Sequence, residues 1–249
     1  MTDFKDHFSG HADDYQRYRP QYPGRLFQYL VSLVRRRQLA WDCGTGNGQV
    51  AQVLSAYFNR VIATDASENQ IRHALPADNI TYQVNKAEEP DIEKNTVDLV
   101  TVGQALHWFD HEKFFEQARR IMKNEAVIAA WTYQLCYVNE ELNELIHAYY
   151  HQVVGPYWPD EREMVEDGYE EVEFPFEEMD PPEMHMEADW TMKEFIGYLR
   201  TWSAAKRFEE DKNADPVEPL FNYFKNAWGD PEQKRRVYWP IRMRVGRKV

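Results

Sequence analysis

The stretch Leu39-Ala-Trp-Asp-Cys-Gly-Thr-Gly-Asn-Gly48, followed by Gln-Val-Ala-Gln-Val-Leu54, constrains this chain more than any other. A short apolar run enters a turn with glycines at 44, 46 and 48, and a helical pattern begins directly after it. A strand, a glycine turn and a helix start form a site where backbone N–H groups face a ligand. Glycine permits positive φ and lets a ligand approach the backbone closely.

A nicotinamide fingerprint, G-x-G-x-x-G, would need its third glycine at position 49, which is Gln49. Asp42 instead stands two residues before the first glycine, giving D-x-G-x-G-x-G. This order resembles motif I of the class I S-adenosylmethionine (SAM) methyltransferases. Asn59-Arg-Val-Ile-Ala-Thr-Asp65 reads as a second strand ending in an acid, 21 residues after Gly44. At that spacing an acid can accept from ribose hydroxyls. An acid after a strand also serves as a cap or turn residue, but beside the glycine turn the ribose role is the better reading. Ser67 is placed to cap the next helix.

Asn79-Ile-Thr-Tyr-Gln-Val84 reads as a third strand, and Asn95-Thr-Val-Asp-Leu-Val-Thr-Val102 as a fourth. Three further segments are similar to a small-molecule subgroup that includes trans-aconitate methyltransferase-like enzymes. They are Ala105-Leu-His-Trp-Phe109, the opening Phe8-Ser-Gly-His-Ala-Asp-Asp-Tyr-Gln-Arg-Tyr-Arg-Pro-Gln-Tyr-Pro23, and Gly197-Tyr-Leu-Arg-Thr-Trp-Ser203. The resemblance implies an α/β fold: a Rossmann-like sheet of about seven strands, the last antiparallel, with helices on both faces and a C-terminal helical cap. It implies SAM as cofactor. One departure is Ile121-Met-Lys-Asn-Glu125, where the family usually has a glycine turn before strand five; Asn124 can adopt the left-handed conformation instead.

The chain has 249 residues, enough for one large domain. Residues 1–135 are expected to form the cofactor-binding core, 136–235 mostly the cap and substrate region, and 236–247 the last strand. Strands are expected near 39–43, 60–64, 80–84, 97–102 and 126–132, with helices near 24–36, 48–57, 67–74, 111–122, 138–153, 191–204 and 216–228. Short strands are expected at Phe174 to Phe176 and at Met184 to Met186. Residues 155–182, dense in proline and acid, read as a solvated surface. The net charge of −13 argues against a nucleic-acid partner. Residues 234–249 carry seven Lys or Arg and no acid, and read as a terminal strand with a solvated basic face. No apolar run is long enough to span a membrane, and the N-terminus does not resemble a signal peptide. Cys43 and Cys136 lack metal spacing. A cytoplasmic protein without a metal is expected.

SAM carries an activated methyl, so such an enzyme chiefly positions two molecules and excludes water. A carboxylate acceptor needs no base, whereas a phenol, hydroxyl or protonated amine does. His107 is the one candidate base, acting either in positioning or as a base. The cofactor-binding set implied by the resemblance is Tyr15, Arg19, Asp42, Gly44, Thr45, Gly46, Gly48, Asp65, Ala66, Ala87, Glu88 and Gln104. Tyr15 and Arg19 share one face of an N-terminal helix, and Arg19 suits the SAM carboxylate. The substrate set is His107, Trp108, Tyr198, Arg200 and Trp202. The expected reaction is methyl transfer to a small-molecule oxygen, a carboxylate among the acceptors that fit. The rivals are an RNA or protein methyltransferase and a non-catalytic methyltransferase-like subunit.

Overall fold

The computed structural model describes Tyr18 and residues 20–249. Its parallel strands are β1 (Leu39–Cys43), β2 (Arg60–Asp65), β3 (Ile80–Val84), β4 (Val97–Gly103) and β5 (Met122–Tyr133). Between them run α1 (Gly24–Leu33, before β1), α2 (Gln49–Ser55), α3 (Glu68–Arg72) and α4 (His111–Ile121). The second half adds α5 (Glu140–Ala148), α6 (Arg162–Glu166), β6 (Glu177–Met179), β7 (Met184–Trp190), α7 (Met192–Arg200), α8 (Ser203–Lys212), α9 (Phe221–Trp228) and β8 (Arg235–Arg247).

The sheet order is β3-β2-β1-β4-β5-β8-β6, with β7 also on β8. Pairing is parallel through β5, and β8 is antiparallel to β5, β6 and β7. The described residues thus form eight strands, one more than expected, because β8 is long enough for two strands to share one edge. Met179 of β6 pairs with Val245, and Met184 of β7 starts at Ile241.

Alternation along the strands explains why both faces are covered. Ala40, Val127, Ala129 and Trp131 pack with α1, α2 and the C-terminal helices, whereas Trp41, Cys43, Ile128 and Ala130 pack with α4. Side chains of period two that are apolar on both faces require two layers of helix. The order reverses between β1 and β4, and open α/β sheets bind ligands outside the strand ends at such a point.

Several boundaries differ from the sequence reading. The expected helix over 191–204 is two helices, α7 and α8, broken at Thr201 and Trp202. Thr191 and Glu194 start α7 as a reciprocal capping box. The left-handed residue expected at Asn124 is Glu125, with φ 62°, and it lies inside β5, which already starts at Met122, rather than in a turn before it. Phe174 and Phe176 precede the strand expected there; β6 begins at Glu177. The basic face of β8 is partly enclosed. Arg244 donates to the carbonyls of Tyr169 and Val172 and pairs with Glu178, which ties residues 169–178 to the last strand. Among the described residues, no helix is long and apolar enough to cross a membrane.

Candidate active site

At the carboxyl ends of β1, β2 and β4 lies a cleft of about 1500 Å³. Gly44, Gly46 and Gly48 all have positive φ, at 69°, 56° and 87°. The turn needs glycine for two reasons. Residues with a Cβ avoid this region, and a Cβ on Gly44 would sit 2.5 Å from that of Ala105. Gly48 faces away from the cleft, where a Cβ would collide with the Tyr82 hydroxyl. Gly46 is different: among the described residues, nothing but the end of Gln70 lies within 4 Å of its Cβ position, and it lines the cleft.

Two acids flank this turn. Asp42 is 1% exposed and accepts from Thr45 Oγ1 and, at 2.8 Å, from Thr101 Oγ1. Burial, helped by the charge of Asp65, pushes its pKa up to about 6 against the lowering effect of those hydroxyls. Asp65 accepts from the Gly46 N–H on Oδ2 and the Ser67 N–H on Oδ1, each at 2.9 Å. Ser67 in turn caps α3 by accepting from the Gln70 N–H at 3.4 Å.

The remaining expected residues converge on the same space. Ala66, Ala87 and Glu88 line it, with Glu88 Oε1 accepting from the Asp110 N–H at 2.8 Å. Gln104 adopts a left-handed φ of 57°, uncommon for a side chain of this kind. Its Oε1 accepts from Thr132 Oγ1 at 2.9 Å and the Tyr133 N–H at 3.0 Å. Tyr15 and Arg19 lie outside the described residues. Tyr18, Pro20, Gln21 and Tyr22 follow or adjoin them and line the cleft, and Tyr18 packs so closely on α7 that a Cβ at Gly197 would be 2.9 Å from its ring.

The other end of the cleft is aromatic. His107, in a 3-10 turn over Leu106–Trp108, is 8% exposed and lies against Trp108, ring centres 4.8 Å apart. Its Nδ1 is 3.0 Å from the Tyr169 hydroxyl. Burial, then the charge of Arg162 and of His111, lower its pKa to about 3, so the imidazole is neutral at physiological pH. Burial also raises the Tyr169 phenol, which stays protonated. The Nδ1–phenol hydrogen bond holds the imidazole ring in place beside the cleft.

Tyr198 and Trp202 both line the cleft and meet edge to face at 5.8 Å, although Trp202 belongs to the start of α8. Arg200 stands at the rim and pairs with Asp215, Nε to Oδ2 at 3.1 Å. Sequence reading missed Trp158, Arg162 and Tyr169. It took residues 155–182 for a solvated surface, yet Tyr169 is fully buried and Trp158 and Arg162 line the cleft. The signal was there: bulky aromatics among charges contribute most where they are covered.

Residues 41–130 match the methyltransferase domain family. A protein of Dictyostelium discoideum named as a candidate methyltransferase is 31% identical over 255 residues, taking in 99% of this chain and 97% of that protein. Among solved structures, a candidate type II methyltransferase from Anaeromyxobacter dehalogenans is 41% identical, with a TM-score of 0.87, over 92% of this chain and 98% of that one. A candidate methyltransferase from Bacillus halodurans shares the fold at a TM-score of 0.52 and 15% identity, over 90% of this chain and 99% of that one.

Proposed function

Because the chain belongs to the class I SAM-dependent methyltransferases, we propose that it methylates an oxygen of a small organic acceptor, carboxylates included, as the trans-aconitate-like subgroup does. The observation that carries this reading is the second half of the cleft. His107, Trp108, Tyr198 and Trp202 line it, and α7 and α8 cover it. An aromatic recess flanked by polar and charged side chains, among them Arg162, Lys193 and Arg200, suits a small molecule. RNA would require a basic surface, which a net charge of −13 does not favour.

The residues present fit the cofactor. Gly46 leaves open space where any side chain would intrude. Asp65 is fixed in plane by two backbone donors, and a carboxylate has about four acceptor positions in all, so it suits a ribose diol. Ala87 and Glu88 would flank the adenine, and Gln104 and Asp42 the methionine end. When bound, SAM supplies a methyl already activated by its sulfonium.

The protein's own contribution is geometric. The neutral His107, held by Tyr169, aligns the acceptor. A group whose pKa is held near 3 is a weak proton acceptor at pH 7, so this site favours an acceptor already ionised. The aromatic walls exclude water from the transfer path. We also place the protein in the cytoplasm, where free Cys43 and Cys136, both buried, stay reduced.

The test is transfer from trideuteromethyl SAM into a whole-cell extract separated by size. Label in compounds below about 1 kDa supports the reading. Label confined to RNA or protein would replace it, and SAM binding without any transfer would favour a non-catalytic subunit.

A further inference from the structure

We propose that Arg162 is the anion anchor of the acceptor subsite, so that the acceptor is a small organic acid whose carboxylate seats on this guanidinium. The inference rests on the small-molecule reading above and names the acceptor's chemical class.

Arg162 opens α6 and lines the same cleft as His107. Its guanidinium lies over the Trp158 ring, 4.6 Å from the centroid, and 5.4 Å from that of Tyr150. Stacking of this kind fixes the plane of the group. Nε donates to the Tyr150 hydroxyl at 2.7 Å, and that hydroxyl donates onward to Glu166. This fastens one edge of the guanidinium. Among the described residues neither Nη atom has a hydrogen-bond acceptor, and no carboxylate forms an ion pair with Arg162.

Arginine is selected where planar, two-pronged recognition of a carboxylate matters. Here the fork is oriented by its stack and its Nε bond, and its remaining donors are left for a ligand. Arg200, at the rim, is already paired with Asp215. The wall around Arg162 is short of acceptors in a second place: the Trp158 Nε1–H is buried with no partner among the described residues. A carboxylate complements this wall, since Arg162 supplies the countercharge and unengaged N–H donors. Glu161 also lines the cleft and would repel a second negative group on its side, which sets orientation as well as affinity.

The test uses trideuteromethyl SAM and the small-molecule fraction of a cell extract, with wild type, Arg162→Gln and Arg162→Lys. Each labelled product is identified by mass, and its precursor acid is then assayed pure beside the analogue in which the carboxylate assigned to Arg162, distinct from the methylated oxygen, is a primary amide. The expected result is that labelled precursors are carboxylic acids. Arg162→Gln raises KM for the acid at least tenfold, changes kcat by less than about threefold, and leaves the amide's kcat/KM unchanged. Arg162→Lys recovers part of the loss, because it keeps charge but not the fork. SAM affinity, measured by calorimetry, stays at the wild-type value in both variants. Labelled neutral or cationic precursors, or equal loss for acid and amide in Arg162→Gln, would overturn the anchor while leaving the small-molecule reading intact. No labelled small molecule from a wild type that binds SAM would remove that reading, and the anchor with it.

Discussion

The Gly46 amide donates to Asp65 Oδ2 at 2.9 Å, so the turn after β1 and the acid ending β2 behave as one unit. Thr45 N–H reinforces the joint by donating to the Thr64 carbonyl, also at 2.9 Å. The cleft floor is therefore set before any ligand arrives, which lowers the ordering cost of binding.

Gly48→Ala tests the turn without placing a side chain in the cleft. The left-handed conformation costs about 1–2 kcal/mol for a residue with a Cβ, and here the Cβ also meets Tyr82. The expected outcome is a lower denaturation midpoint with an unchanged slope, corresponding to at least that cost, together with weaker SAM binding. Denaturant titration followed by a SAM titration measures both.

His107 should behave as a positioning residue. With its folded pKa near 3 against an ordinary 6.5, it carries no proton change between pH 6 and 8. The pH–rate profile of wild type on its acceptor should lack an ionisation near 6–7, and His107→Gln should raise KM more than it lowers kcat. An ionisation near 6–7 that vanishes in His107→Gln would mark base assistance, with an expected kcat loss of about 10²–10⁴-fold. Because folding favours the neutral ring, its contribution to stability is present above pH 6.5 and lost as pH falls towards 3.

Asp42 has the opposite sign. Its folded pKa of about 6 lies above the ordinary 3.8, so folding favours the protonated acid. That contribution is complete below pH 3.8 and lost as pH rises through 6. Relative to Asp42→Asn, which does not titrate, wild type should lose about 1–3 kcal/mol of stability between pH 4 and 7. Paired urea titrations at those pH values measure the difference directly, and a constant difference would contradict the assigned protonation.

The first half was legible because local pattern and tertiary demand agree there. β1, with its apolar run, and the glycines after it can form little else, and Asp65 falls at the end of β2 as its spacing indicated. Every expected site residue from Asp42 to Trp202 that the structure describes lines the cleft, except Gly48, which serves the turn. The second half was less legible. The charge of Arg162 acts on His107 from 55 residues away in sequence and Tyr169 bonds it from 62 residues away, and no local periodicity announces either. The same holds for Arg244, whose charge looked solvated until residues 169–178 folded over it.

Calorimetric titration of SAM into wild type and Asp65→Ala tests the central claim most directly, that the cleft ending β1, β2 and β4 is the cofactor site. Hydrogen bonds to a charged group are worth about 1.5–3 kcal/mol, and the substitution removes the acceptors for two ribose hydroxyls. The account predicts one site per chain in wild type and an affinity about tenfold or more lower in Asp65→Ala. No binding heat over a range of temperatures in wild type, or equal affinity in the two proteins, would contradict it.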